Sequence, residues 1–247
     1  MFKVVIPARF ASSRLPGKPL LDIAGKPMVI QVAILASKSQ ASEVVIATDH
    51  APITQVAEQF GFAFVMTRED HPSGTDRIAE VVQTMGWSDE TIVVNVQGDE
   101  PLIDPLLINE VAQALAQDTQ AAMATACHPI HDMAAFESSN IVKVVLNANG
   151  QALYFSRAPI PYPRDAEYRE QLVAHRHIGI YAYRVGFLKQ YAGLPVTALE
   201  KIESLEQLRV LYHGYKIAVT ITENAPASGV DTQADLDAVR DIFSRLK

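Results

Sequence analysis

Short apolar runs and amphipathic stretches alternate along the first half of the chain, and that alternation leaves few folds open. Lys3–Ile6, Val44–Thr48, Ala63–Met66, Thr91–Val96 and Met123–Cys127 read as strands. Between them, Met28–Ser37, Thr54–Phe60, Thr75–Thr84 and Pro105–Gln117 read as helices. Ile78, Val81 and Val82 share one face of the third helix, and Pro105 opens the fourth. Strands that are apolar throughout, each followed by a helix, predict an α/β fold with a mainly parallel sheet and helices on both faces. The chain has 247 residues and 49% apolar content, enough for one large α/β domain, or for one domain with a modest insertion.

The pattern changes near residue 128. Ile141–Leu146 and Ala152–Phe155 flank Asn149-Gly150, a hairpin signal. A Pro-rich charged stretch follows from Arg157 to Glu170, then a strand over Ile178–Tyr183 and a short helix over Phe187–Tyr191. This block reads as a small α+β insertion, 129–194, set into a core formed by 1–128 and 195–247. Within the returning core, Ser204–Leu211 reads as helix, Lys216–Thr222 as strand and Asp235–Leu246 as the final helix.

Net charge is −7, which argues against non-specific binding to nucleic acid or an anionic membrane. The single cysteine, Cys127, excludes an intrachain disulfide and fits a reducing compartment. It reads as a small buried apolar group, with a catalytic thiol as the second reading. No apolar run is long enough to span a bilayer, and the run after Lys3 stops at Pro7, unlike a signal peptide. The expectation is a soluble cytoplasmic protein.

Against this acidic background the loop after the first strand is basic. Pro7 to Leu20 carries Arg9, Arg14 and Lys18 among Ser12, Ser13 and Gly17. In α/β folds the loops at the carboxyl ends of the strands bind ligands, so this one suits a polyanion such as a nucleoside triphosphate. It is not a P-loop, because Pro19 stands where Walker A needs a Ser or Thr. Arg14 and Lys18 would instead grip the β- and γ-phosphates.

Four further motifs carry chemistry. Asn95-Val96-Gln97-Gly98-Asp99-Glu100-Pro101 ends a buried strand, and Asp99 is either a Mg²⁺ ligand or a residue that shapes the turn. Asp231 precedes a capping box formed by Thr232 and Asp235, which leaves its own carboxylate free to share a metal with Asp99. Ser73-Gly74-Thr75-Asp76-Arg77 opens a helix, as an ordinary N-cap or as a backbone phosphate or base contact. In the second half, Arg157, the pair His177 and Tyr181, and the pair Glu206 and Gln207 could serve a sugar acid. Taken alone, His177 reads as a satisfied structural histidine and Glu206-Gln207 as a solvated face.

Read together, these segments, with Ala47-Thr48-Asp49, Ala152 to Arg157, Arg176 to Tyr181, Leu205 to Arg209 and Gly229 to Thr232, resemble the 3-deoxy-manno-octulosonate (Kdo) cytidylyltransferases from end to end and in order. The resemblance implies a Rossmann-like nucleotidyltransferase sheet. It also implies a reaction of CTP with Kdo to give CMP-Kdo and pyrophosphate, with Mg²⁺, for lipopolysaccharide biosynthesis. By position, Ala8, Arg9, Ser12, Arg14, Lys18, Ser73, Gly74, Thr75 and Arg77 would bind the nucleotide. Gln97, Arg157, His177, Tyr181, Glu206 and Gln207 would bind the sugar, and Asp99 and Asp231 the metal. Arg14, Lys18, Asp99 and Asp231 would carry the catalysis. A homodimer with the insertion at its interface is also implied. The competing readings are a sister enzyme for sialic acid or 8-amino-Kdo, and a non-catalytic nucleotide-binding module.

Overall fold

A computed structural model describes residues 1–11, 14–71, 73–168, 173–224 and 229–245. The first strand, β1 (Phe2–Ala8), leads through a loop to a 3₁₀ turn at Lys18–Leu20 and a two-residue hairpin, β2 (Asp22–Ile23) with β3 (Lys26–Pro27). There follow α1 (Met28–Ala36), β4 (Glu43–Thr48), α2 (Ala51–Gln59), β5 (Ala63–Met66), α3 (Gly74–Met85), β6 (Ile92–Asn95), α4 (Pro105–Gln117) and β7 (Ala121–Ile130). The second half contains α5 (Met133–Glu137), β8 (Lys143–Leu146), β9 (Ala152–Ser156), β10 (Ala174–Arg184), α6 (Val185–Tyr191), α7 (Ala198–Glu203), α8 (Gln207–Tyr212), β11 (Lys216–Ile221) and α9 (Gln233–Arg245).

The main path of the sheet runs β11-β7-β10-β6-β1-β4-β5. Along it β10 alone is antiparallel to its neighbours, so the sheet is mainly parallel as expected. Val4, Val5, Ile6, Val93 and Val94 are fully buried because helices cover both faces. One face packs on α1, α2 and α4, and the other on α3, α6 and α8. A smaller cluster joins Leu15, Ile23 and Met28 to Val230, Leu236 and Val239, docking α9 against the β2–β3 hairpin.

Two sequence expectations meet different geometry. β10, placed in the insertion by pattern, lies inside the sheet between β6 and β7, while β8 and β9 extend from its far end as the hairpin. The predicted helix over Ser204–Leu211 is shorter, forming only as α8 from Gln207, and a separate helix, α7, precedes it. Ser204 adopts a left-handed conformation (φ 52°) that ends α7, and α8 starts anew at Gln207. No glycine marks that break, so the sequence carries no signal for it.

Candidate active site

Three loops meet at the carboxyl edge of the sheet. The first leaves β1 and turns at Gly17, whose φ of 65° is left-handed, so that the 3₁₀ turn aims Lys18 inward. The second leaves β6 as Gln97-Gly98-Asp99. Its approach to β1 is close: a β-carbon at Gly98 would sit 2.8 Å from the carbonyl oxygen of Pro7. The third is the segment before α9, where the backbone N–H of Val230 donates to the carbonyl of Asp99 at 2.8 Å.

Lys18 joins all three. Its Nζ lies 2.6 Å from Asp99 Oδ2, 3.0 Å from the Val230 carbonyl oxygen and 3.2 Å from Asp231 Oδ1. Arg14, more exposed, reaches the same Asp231 oxygen at 3.0 Å. The capping box before α9 forms as the pattern implies, with Asp235 accepting from the Asp231 and Thr232 N–H groups. Asp235 and Thr232 are thus occupied, and the Asp231 side chain is left to Lys18 and Arg14. Pro7, Ala8, Arg9, Arg14, Lys18, Gly74, Gln97, Asp99 and Asp231 line one cleft of about 390 Å³. It combines the cations Arg9, Arg14 and Lys18 with the carboxylates Asp99 and Asp231, a chemistry suited to a polyphosphate and its counter-ion. Among the described residues no three His, Cys, Asp or Glu side chains converge as a self-sufficient metal cage.

Beneath this cleft lies a second polar group on the α3, α6 and α8 side of the sheet. Tyr181 Oη donates to Gln207 Oε1 at 3.2 Å, and the His177 and Tyr181 rings are 5.5 Å apart. Thr75 Oγ1 donates to Glu206 Oε1 at 3.1 Å and lies 3.2 Å from Tyr183 Oη. Burial pushes the Glu206 carboxyl and the Tyr181 and Tyr183 phenols up, and pushes His177 down to about 3.

A model of the cytidylyltransferase family matches residues 3–217. The chain belongs to the cytidylyltransferase family. A solved CMP:2-keto-3-deoxy-manno-octonic acid synthetase, complexed with CTP, is 44% identical over the whole of both chains, with a TM-score of 0.93. A cytidylyltransferase from Leptospira borgpetersenii serovar Hardjo-bovis is 16% identical, with 99% of this chain and 87% of that one covered and a TM-score of 0.63. That second likeness speaks to the fold alone.

As a cytidylyltransferase the chain is a nucleotidyltransferase enzyme, and its edge loops bring Ala8, Arg9, Arg14, Lys18, Gly74, Gln97, Asp99 and Asp231 together. Three expectations are corrected in detail. Arg77 is fully buried; its guanidinium pairs with Asp49 at 2.6 Å and donates to Thr67, so its side chain does not face a nucleotide. Thr75 is also buried and turns its hydroxyl inward toward Tyr183 and Glu206, away from the cleft. Glu206 and Gln207 stand at the start of α8, not mid-helix on a solvated face, and Gln207 is buried.

The remaining positions are mixed. The Ser73 side chain caps α3, accepting from the Asp76 N–H, which leaves the Gly74 backbone at the cleft. Arg157 donates to the carbonyl oxygens of Glu203 (Nε, 2.8 Å) and Ser139 (Nη1, 3.1 Å), neither of them in the cleft. His177 Nε2 is met by Thr125 Oγ1 at 2.9 Å, as a structural histidine would be. Ser12 lies outside the described residues. Cys127 is buried, and burial pushes its thiol up to about 12, which removes the nucleophile reading. Asp49 and Glu100 were given no role by pattern. Asp49 anchors Arg77, and burial with the Asp99 charge raises Glu100 to about 7. Among the described residues, no helix is long and apolar enough to cross a membrane.

Proposed function

We propose that this enzyme transfers CMP from CTP to the anomeric hydroxyl of Kdo and releases pyrophosphate. The observation that carries the reading is Lys18, held between Asp99 and Asp231 at the mouth of a basic loop that is not a P-loop. The full-length likeness to a synthetase for that sugar acid supports the choice of acceptor. In the reaction the hydroxyl oxygen bonds to the α-phosphorus while the bond to the bridging β-phosphate oxygen breaks. No covalent enzyme intermediate is needed.

Arg14 and Lys18 would hold the departing pyrophosphate and offset its growing charge, through charge-assisted hydrogen bonds. The backbone at Ala8, Arg9 and Gly74 would seat the nucleoside. Gln97, His177, Tyr181, Glu206 and Gln207 would orient the sugar, and Arg157 would meet its carboxylate after leaving its backbone partners. Asp99 and Asp231 fit a Mg²⁺ ion: both are hard oxygen donors, and both reach one point now filled by the Lys18 ammonium. When bound, Mg²⁺ would neutralise phosphate charge and lower the pKa of the attacking hydroxyl.

The proposal includes a homodimer joined through 129–194, supported by Tyr162, Tyr168 and Val173, which are apolar and exposed there. It also includes a cytoplasmic setting and a role in lipopolysaccharide biosynthesis. Pyrophosphate release from CTP and Mg²⁺ tests the function. Release is expected only when Kdo is added and is expected to stop on chelation. Release only with 8-amino-Kdo or sialic acid would move the enzyme to a sister activity, and no release with any acid sugar would refute it.

A further inference from the structure

We propose that Asn95 is a sugar-contacting residue, presenting its amide to hydroxyls of the acceptor. This rests on the reading above that the acceptor is an acid sugar. Asn95 ends β6 and is 1% exposed. Its neighbours in sequence, Val93, Val94 and Val96, are apolar and buried, so packing alone would be served by another valine.

Two features set this amide apart. Among the described residues neither Nδ2 nor Oδ1 has a hydrogen-bond partner, and Gln207 Nε2, also buried, has none there. An unmet buried polar group is destabilising, and native proteins keep few of them. The second feature is position. Asn95 is the register partner of Tyr181 across the β6–β10 ladder, so both side chains leave the same face of the sheet. Tyr181 in turn bonds Gln207. The unmet donors and acceptor therefore belong to one polar group, with Thr75 and Glu206 at its rim. That group abuts the Lys18 cleft, since Gly74 and Gln97 line the cleft, Gly74 next to Thr75 and Gln97 two residues beyond Asn95 in the chain.

An amide offers a donor and an acceptor side by side, a match for a pair of hydroxyls. With Gln207 Nε2 as a further donor, the complement is a polyhydroxylated acid. The competing occupant is water held for structure alone.

The test replaces the amide by an apolar side chain of similar size, Asn95→Leu, with Asn95→Ala as a second variant that adds no bulk. Michaelis constants for CTP and Kdo are measured separately, and thermal unfolding is followed without ligands. The expected result is a rise in the Kdo KM of about tenfold, equivalent to about 1.4 kcal/mol, with the CTP KM within about twofold. The melting temperature of Asn95→Leu should hold or rise by about 2–4 °C, because an unmet amide has been removed. An unchanged Kdo KM in the better-folded variant, or equal rises in both constants, would overturn the assignment while wild-type turnover leaves the proposed function standing. A wild type inactive with Kdo would overturn both.

Discussion

Replacing Asp49 by Asn removes one charge and almost no volume, so it isolates the electrostatic part of the Asp49–Arg77 pair. Arg77 is fully buried and Asp49 nearly so; the Nη2–Oδ2 distance is 2.6 Å. Among the described residues Arg77 Nε has no partner, so the guanidinium carries one unmet donor there. Stranding a buried charge costs about 3–5 kcal/mol. Asn still accepts one hydrogen bond and Thr67 keeps another, which places the loss at the low end, about 3 kcal/mol. For a chain of this size each kcal/mol shifts the melting temperature by about 2–4 °C, so a fall of about 6–12 °C is expected. Removing both charges, as in Asp49→Asn with Arg77→Met, should cost less than the sum of the two single changes by about 1–3 kcal/mol. Urea unfolding of the four proteins of that cycle measures the coupling. A single Asp49→Asn change within about 0.5 kcal/mol of wild type, or strict additivity, would refute the buried-pair reasoning.

Three further outcomes are expected. Lys18→Met leaves Asp99 and Asp231 facing each other without their shared cation, and kcat/KM for CTP should fall by about 10²-fold or more in steady-state assays; unchanged kinetics would remove Lys18 from the reaction. Gly98→Ala drives a β-carbon to 2.8 Å from the Pro7 carbonyl oxygen, so urea unfolding should register a loss of about 1–3 kcal/mol, and turnover should fall as Asp99 shifts. His177 is held neutral by burial, down to about 3 from an ordinary 6.5. Below pH 6.5 the unfolded chain therefore takes up a proton that the folded chain refuses, and stability drops as pH falls toward 3. At pH 4.5 this amounts to at most about 2–3 kcal/mol, and His177→Asn should flatten the stability profile between pH 6.5 and 4.5.

The alternation of β1, β4, β5 and β6 with α1 to α4 was legible because period and polarity are local properties. So were the hairpin at Asn149-Gly150, where Gly150 adopts φ 73°, and the capping box at Thr232. Lys18, Asp99 and Asp231 could be nominated from strand-end position. The ammonium set between the two carboxylates could not be, since it depends on how three distant loops close. Thr75 and Arg77 show the limit most plainly. Helical spacing placed both in the first turn of α3, but which way each side chain points depends on what the sheet puts beneath that turn. There Tyr183 and Asp49 wait in the interior. The break at Ser204 had no signal because a non-glycine residue takes the left-handed turn.

The docking of α9 has a consequence for how activity is lost. This helix follows Asp231 and holds its segment in place, yet among the described residues only Leu236 and Val239 of it are buried, whereas seven residues of α1 are buried. Free energies of local opening follow such burial, so α9 should detach at lower cost than any core strand. Each opening would withdraw one carboxylate from Lys18 and leave the sheet intact. Catalytic competence would then depend on a helix anchored by two buried side chains, and the enzyme would fall silent well before its sheet unravels.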